Sequence, residues 1–170
     1  MDNGIIQIYY GDGKGKTTAA LGQALRCAGR GYKVLYAAFL KNTDSGEFFN
    51  ELPFDILLPE YNYGFWNTLS ENERIYAKKS AAEVLNKLIE QSVKYDMIIL
   101  DELLDALQLG CVDRTTVMKL LSDKPTSLEI VITGHSFDKE IFDKAECITE
   151  MKKVKHHFDK GIKCRIGIEK

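Results

Sequence analysis

The sequence predicts an α/β fold in which a mostly parallel sheet is flanked by helices. Apolar runs of strand length alternate with helical segments, a glycine-rich loop joins the first strand to the first helix, and an acidic pair follows a later apolar run. Such alternation is typical of parallel sheets, because helices make their crossovers. With 170 residues, of which 45% are hydrophobic, we expect residues 1–170 to form a single domain with a sizeable core.

The first half of the chain supplies the first predicted strands. We expect a strand over Ile5–Tyr10 and a helix over Lys16–Ala28, which the glycines at 29 and 31 end. A second strand is predicted over Lys33–Leu40 and a short one over Phe54–Leu58. The polar residues 41–53 between them predict a loop with a helical turn.

A capping box follows these strands. Ser70 and Glu73 have its spacing, and the helix that follows is predicted over Glu71–Lys94. Its apolar residues recur at helical spacing and should face the sheet. The remaining predictions are strands at 96–100, Glu129–Thr133, Ile148–Met151 and Lys163–Glu169, helices at Leu103–Leu109 and Arg114–Leu121, and a helical turn near Asp138–Lys144.

The glycine-rich loop, residues 11–18, reads GDGKGKTT and lies between a strand and a helix. Its closely spaced glycines (Gly11, Gly13, Gly15) let backbone N–H groups turn inward and let phosphate oxygens approach. The start of the helix adds a partial positive charge. Lys16 should neutralise phosphate charge, and the Thr17 hydroxyl should ligate Mg²⁺. We therefore predict a P-loop NTPase-like, nucleotide-binding domain rather than a glycine-rich turn without a ligand.

The loop is one residue shorter than the usual pattern. That pattern, G-x-x-x-x-G-K-[ST], would place its first glycine at position 10, which is Tyr10 here. The loop also carries a second lysine, Lys14. Both features distinguish it from the loops of ordinary NTPases.

The acidic pair, Asp101 and Glu102, follows four apolar residues. Mg²⁺ prefers oxygen ligands, and such ligands gather at the carboxyl ends of central parallel strands. Alone, the pair could be a charge pair at a helix N-terminus. With the loop present, we expect these carboxylates to bind or orient Mg²⁺. The sequence leaves open which of them is the direct ligand.

Composition and charge argue against several other classes of protein. The net charge of −2 gives no general attraction to nucleic acid or to an anionic membrane. No apolar run approaches the roughly 20 residues of a membrane span. The first predicted strand follows Met1 too closely for a signal peptide, and the scattered cysteines form no C-x-x-C pair. We therefore expect a cytoplasmic protein with reduced thiols.

Residues 61–66, YNYGFW, place four aromatic residues around a glycine. They fill the core or form a flat wall for a planar ligand. The five arginines form no arginine-rich lid of the kind that kinases use for phosphoryl transfer. A neighbouring pair, His156 and His157, should point to opposite sides of a strand, which disfavours joint chelation of a metal.

Six segments together carry a family resemblance. They are residues 11–22 (GDGKGKTTAALG), 24–26 (ALR), 100–103 (LDEL), 132–134 (ITG), 154–163 (VKHHFDKGIK) and 166–169 (IGIE). With them, nearly the whole chain resembles the phosphate-loop-type corrinoid adenosyltransferases, which act on cob(I)alamin or cob(I)yrinic acid a,c-diamide. That family's loop is usually written G-N-G-K-G-K-T-T-A-A-x-G, so Asp12 and Thr18 join the expected ATP-binding residues, with Arg26 further along the helix. His135 stands where arginine is common in the family.

The resemblance implies transfer of the adenosyl group of ATP. A corrinoid reduced to Co(I) attacks the 5′ carbon of the ribose, and triphosphate leaves. It also implies a phosphate-loop sandwich fold, ATP reversed in the loop, a homodimer, and a flavoprotein reductase as a candidate partner. The family's aromatic pattern G-F-T-W-x-T displaces the lower axial ligand of cobalt. Phe65 and Trp66 resemble that pair, with one residue fewer between them.

Two other functions remain open from the residues alone. One is phosphoryl transfer by a P-loop kinase or ATPase, and the other is a non-catalytic module that binds ATP or a corrinoid.

Overall fold

Six parallel strands form one sheet in the order β3-β2-β4-β5-β1-β6. The computed structural model describes residues 2–41, 45–60 and 66–169. The strands are β1 (Ile6–Tyr10), β2 (Val34–Ala38), β3 (Asp55–Leu57), β4 (Met97–Asp101), β5 (Glu129–Gly134) and β6 (Cys147–Glu150). The α/β class is confirmed, and every described strand pairing is parallel.

Helices cover both faces of this sheet. They are α1 (Lys16–Ala28), α2 (Glu71–Gln91), α3 (Leu103–Gln108), α4 (Arg114–Ser122) and α5 (Lys139–Phe142). Helix α1 packs through Ala20, Ala24 and Cys27 on one face. The buried residues of α2 to α5 pack with the opposite face. Within the described ranges, no helix is long and apolar enough to cross a membrane.

The helix starts follow the sequence signals. Ser70 forms the predicted capping box, since its side chain accepts from the backbone N–H of Glu73 while the Glu73 carboxylate accepts from the N–H of Ser70. Helix α2 ends at Gln91, and a 3₁₀ turn covers Ser92–Lys94. The helical turn predicted within residues 41–53 is a 3₁₀ helix at Gly46–Phe49.

Alternation along β4 directs its last residue toward α1. Met97 and Ile99 pack in the core on the α1 face, whereas Ile98 and Leu100 pack on the other. Because side chains alternate across a strand, Asp101 falls on the α1 face, beside the start of that helix. The neighbouring strands β2 and β5 end at the same edge of the sheet.

The predicted strand over Lys163–Glu169 is wrong. Residues 166–169 form a turn without a strand partner among the described residues, and Gly167 has φ +79°. The Arg165 guanidinium and the Glu169 carboxylate are 2.8 Å apart across this turn. The alternation of apolar residues there is not that of a buried strand, because Ile166 is 93% exposed.

Candidate functional site

Residues 11–18, here the phosphate loop, comprise an open turn at 11–15 after β1 and the first three residues of α1 at 16–18. Gly11 and Gly15 have φ angles of +107° and +111°, which favour glycine. Gly13 donates its N–H to the Met151 carbonyl oxygen at 2.6 Å. A Cβ at Gly13 would lie 2.5 Å from that oxygen, so only glycine fits there. The glycines therefore set the conformation of this turn.

Lys16 lies at the start of α1 and folds back over the loop. Its Nζ donates to the carbonyl oxygens of Gly11 at 2.7 Å and Gly13 at 2.8 Å. Burial lowers the pKa of Lys16, while the nearby carboxylates of Asp105 and Asp12 act against this shift. Among the residues that the structure describes, its ammonium donates only to backbone oxygens of the loop, which suits a group that binds phosphate.

Asp101 is the buried centre of the site. It has no exposed surface, and its two oxygens accept from Tyr36 and Thr133, each at 2.7 Å. Burial, followed by the charge and hydrogen bond of Asp101, raises the pKa of Tyr36 well above its usual value. Tyr36 and Thr133 come from β2 and β5, the neighbours of β4, so the sheet itself fixes the carboxylate.

Thr17 and Lys41 complete the surroundings of Asp101. The Thr17 Oγ1 lies 3.1 Å from Oδ1 of Asp101, so the structure brings these two predicted metal-site residues together. Lys41 Nζ lies 2.9 Å from Oδ2 of Asp101 and 2.7 Å from Thr17 Oγ1. Sequence reasoning missed Lys41, Tyr36 and Thr133.

Glu102 has a strained backbone at the edge of the same site. Its φ is +61°, the only positive value of a non-glycine residue among those described. Its N–H donates to Thr133 Oγ1 at 2.9 Å. Burial raises the pKa of Glu102 to about 7, and the charge of Lys41 opposes the shift. Strain of this kind occurs at sites where a side chain is aimed for function.

His135 and Asp105 form a pair across the site. Asp105 on α3 accepts from the backbone N–H of His135 at 2.9 Å, and its carboxylate lies 3.1 Å from the ring Nδ1. Burial alone would raise the pKa of Asp105, but the hydrogen bonds and charge of His135 bring it below the usual value. The pair holds the histidine at the position where the resembled family commonly has arginine.

Residues 151–169, here the C-terminal segment, lie against the phosphate loop. Asp12 accepts from the backbone N–H of Lys153 at 3.0 Å. Lys14 Nζ lies 2.5 Å from Oε1 of Glu169. The rings of His156 and His157 stack, with centroids 4.3 Å apart. The prediction that these two histidines point to opposite sides of a strand is wrong, because this part of the segment is not a strand.

The loop, the strand ends and the C-terminal segment enclose a cavity of about 750 Å³, here the loop cavity. Most of the predicted binding residues line it, namely Asp12, Gly13, Lys14, Gly15, Lys16, Thr17, Thr18 and Glu102. Gly11 and Asp101 are buried and do not line it, although Asp101 contacts Thr17 and Lys41, which do. This volume is in the range of small-molecule sites.

Arg26 is not brought to the loop cavity. It lies in the last turn of α1, ten residues beyond Lys16 and so about 15 Å along the helix. Its part in ATP binding remains a prediction that the geometry within one chain does not support.

Trp66 lies apart from the loop cavity. It begins a 3₁₀ helix, Trp66–Thr68, and packs against Leu69 and Ala77. The Arg74 guanidinium lies 5.6 Å from the Trp66 ring centroid. Phe65 lies outside the described residues, as does the rest of the aromatic segment at 61–64.

Comparison with known proteins identifies the family. Residues 2–169 match the model of the ATP:corrinoid adenosyltransferase BtuR/CobO/CobP family. The chain is 33% identical over 170 residues to a corrinoid adenosyltransferase of Escherichia coli strain K12, with 99% of this chain and 86% of the relative covered. A corrinoid adenosyltransferase of Pseudomonas aeruginosa is 32% identical over 172 residues, covering 99% and 84%. An uncharacterized Nostoc protein, all2391, is 30% identical over 182 residues, covering 96% of this chain and 47% of its own length.

The match spans the phosphate loop, the acidic strand end and the C-terminal segment that together form the loop cavity. This chain belongs to the ATP:corrinoid adenosyltransferase family.

Proposed function

We propose that this protein transfers the 5′-deoxyadenosyl group of ATP to the Co(I) ion of a corrinoid, with triphosphate as the leaving group. The observation that carries the proposal is the loop cavity, in which Lys14, Lys16 and the start of α1 face a space large enough for a nucleotide. The family match supports the reaction class.

The reaction does not depend on proton transfer by a side chain of the protein. Co(I) supplies the electron pair for the new Co–C bond, the C5′–O bond breaks, and triphosphate leaves with the pair from that bond. Since the nucleophile is the metal of the substrate, a general base is not required. The protein must instead bind the polyanionic leaving group, which lysines and a helix N-terminus do by electrostatic stabilisation.

Mg²⁺ is part of this proposal. The chemistry of the donor set fits, because the Thr17 hydroxyl and the Asp101 carboxylate offer oxygen atoms 3.1 Å apart beside the loop. Glu102 is a further oxygen donor at the same edge. Among the described residues no cluster of three or more His, Cys, Asp or Glu could hold a metal alone, so triphosphate oxygens would complete the coordination. When bound, the ion would neutralise charge on the leaving group.

The alternative of phosphoryl transfer is less well supported by the geometry. Kinases and many ATPases place arginines around the transferring phosphoryl group. In the part of the chain that the structure describes, no arginine lines the loop cavity. The lysines present are sufficient to hold a triphosphate that leaves as one unit.

We further propose that Phe65 and Trp66 form a wall of the corrinoid site. Trp66 lies apart from the loop cavity, which fits a role toward the second substrate rather than toward ATP. An apolar ring below cobalt occupies the space of an axial ligand without coordinating the metal, which makes reduction to Co(I) easier.

The proposal extends to assembly and location. We infer a homodimer, because the C-terminal segment exposes apolar side chains such as Val154 and Ile166, 88% and 93% exposed. A flavoprotein reductase would supply electrons to the corrinoid, and the cytoplasm is the expected location. Light scattering in solution tests the dimer directly.

The phosphate-containing product formed from ATP distinguishes the candidate reactions. The protein is incubated with ATP, Mg²⁺ and a chemically reduced corrinoid, and the phosphate product is identified. Intact triphosphate with a light-sensitive Co–C bond supports the proposal, and Lys16→Ala should reduce it by a large factor. ADP or free phosphate would support a kinase or ATPase, and tight ATP binding without product would support a non-catalytic module.

The aromatic wall has its own test. Replacing Trp66 with histidine should favour a five-coordinate Co(II) corrinoid and slow its reduction, because imidazole coordinates cobalt where indole does not. ATP affinity should change little. Electronic spectra of the bound Co(II) corrinoid report the coordination number. A four-coordinate spectrum that survives Trp66→His, or a weakened ATP affinity, would contradict the assignment.

A further inference from the structure

Lys41 has no assigned part in the site, yet it contacts both side chains that offer oxygen to Mg²⁺. Its Nζ lies 2.7 Å from Thr17 Oγ1 and 2.9 Å from Asp101 Oδ2. The ammonium therefore lies between the two oxygens that would ligate the ion. We propose that the Lys41 ammonium neutralises this site in the absence of Mg²⁺. When Mg²⁺ binds, it displaces the ammonium, which then binds the triphosphate.

The contacts of Asp101 show which groups can move. Tyr36 and Thr133 donate to the carboxylate from within β2 and β5 and are almost fully buried. Lys41 follows the end of β2, and its side chain is 21% exposed. Thr17, the fourth partner of Asp101, is fixed at the start of α1. The Lys41 ammonium, at the end of a long and partly exposed side chain, is thus the partner with the most freedom to swing away.

A buried carboxylate also needs a cation when the ion is absent. Asp101 has no exposed surface, and an unpaired charge in such a place is strongly destabilising. Lys41 supplies that charge in the free protein. Mg²⁺ and Lys41 then compete for the same oxygens, and only one of them is needed at a time.

The displaced ammonium has a partner within reach. Lys41 lines the loop cavity together with Lys14 and Lys16. Its flexible four-carbon stem lets the charge move by several ångströms. In the loop cavity it would meet oxygens of the triphosphate, where a third lysine supplies the charge that arginine provides in other phosphate-loop enzymes. This step rests on the proposed function, because it assumes that triphosphate occupies the cavity.

The test uses two probes that respond in opposite directions. Replacing Lys41 with methionine keeps an unbranched side chain one atom shorter and removes its charge. Mn²⁺ alone, followed by electron paramagnetic resonance, should bind the variant at least about tenfold more tightly, because the ion no longer competes with the ammonium. Tripolyphosphate, titrated by calorimetry at a Mg²⁺ concentration that saturates both proteins, should bind about 10–100-fold more weakly, the loss expected for one charged hydrogen bond.

Three further variants keep the result interpretable. Lys79→Met, on the exposed face of α2, is the matched control and should change neither affinity. If Lys41→Met fails to fold, Asp101→Asn is compared with the double variant Lys41→Met/Asp101→Asn, in which no buried charge is left unpaired. The double variant should still bind tripolyphosphate more weakly than Asp101→Asn alone.

Unchanged affinities for both probes would overturn the proposal and leave Lys41 as a structural partner of Asp101. Tighter Mn²⁺ binding with unchanged tripolyphosphate binding would overturn the second step. Neither probe involves a corrinoid or adenosyl transfer, so these results stand apart from the outcome of the product assay.

Discussion

At the scale of single residues, the site depends on how closely two backbone segments, the phosphate loop and the C-terminal segment, approach each other. Gly13 shows this most directly, because its N–H and its missing side chain face the same carbonyl oxygen of Met151. The position couples the phosphate loop to the C-terminal segment through one hydrogen bond. A side chain here would act on both at once.

Gly13→Ala should therefore weaken ATP binding by more than about tenfold. Its Cβ would lie 2.5 Å from the Met151 oxygen, a backbone atom, so either the loop or the C-terminal segment must shift. Calorimetric titration with magnesium ATP measures the change. Gly22→Ala is the matched control, since nothing lies within 4 Å of its Cβ within α1. That change should leave binding intact and stabilise the helix by about 0.5–1 kcal/mol. Wild-type affinity in Gly13→Ala would show that the contact does not matter.

The pair of Asp105 and His135 gives a second prediction, on acid stability. The pKa of the folded carboxyl lies below the ordinary 3.8, because His135 outweighs the effect of burial. The stabilisation is therefore fully present above the unfolded pKa and is lost as the pH falls through the lower, folded pKa. We expect Asp105→Asn to cost free energy of unfolding near pH 6 and progressively less as the pH falls below the ordinary 3.8. Urea unfolding of both proteins across this range measures the difference, and a difference independent of pH would contradict the assigned cause.

The sequence predicted the loop residues and missed their partners for a physical reason. Lys16 and Thr17 belong to a contiguous motif whose spacing is visible in one dimension. Tyr36, Lys41 and Thr133 reach Asp101 only because β2 and β5 flank β4. Strand order is a property of the folded sheet, and the sequence pattern does not encode it locally. The only sequence signal for Lys41 was its place one residue beyond the predicted strand Lys33–Leu40, three residues beyond the end of β2.

At the scale of elements, amphipathic helices and buried strands were predictable, and the C-terminal segment was not. Helix α2 carries both a capping box and apolar residues at helical spacing, and both signals agree. The apolar residues near 166–168 alternate as in a strand, but no neighbouring strand is available to pair with them within the described ranges. Ionic contacts with the phosphate loop hold that segment instead.

Glu169 is the main anchor of the C-terminal segment. It lies 2.5 Å from Lys14, 2.8 Å from Arg165 and 3.7 Å from the ring of His157. Glu169→Gln removes the charge that these groups share, so backbone amides at 151–169 should exchange faster with deuterium. Glu90→Gln, on the exposed face of α2, should leave that exchange unchanged. Equal exchange in wild type and Glu169→Gln would mean that the Asp12 and Gly13 contacts suffice.

At the scale of the whole molecule, the site joins the two ends of the chain. The loop after β1, the ends of β2, β4 and β5, and the C-terminal segment all border one cavity. A ligand that binds there contacts elements spread along the entire sequence. Its binding energy should therefore stabilise the chain as one unit rather than one part of it.

Thermal unfolding tests this coupling and the prediction of a single domain over residues 1–170. A ligand at 100 times its dissociation constant stabilises the folded state by about 2.7 kcal/mol. For a chain of this size that corresponds to an increase in Tm of about 5–10 °C. Magnesium tripolyphosphate should therefore shift one cooperative transition by this amount, and Lys16→Ala should lose most of the shift at the same ligand concentration. Two transitions, of which only one responds to the ligand, would show that the chain unfolds as separate units and that the site does not unite them.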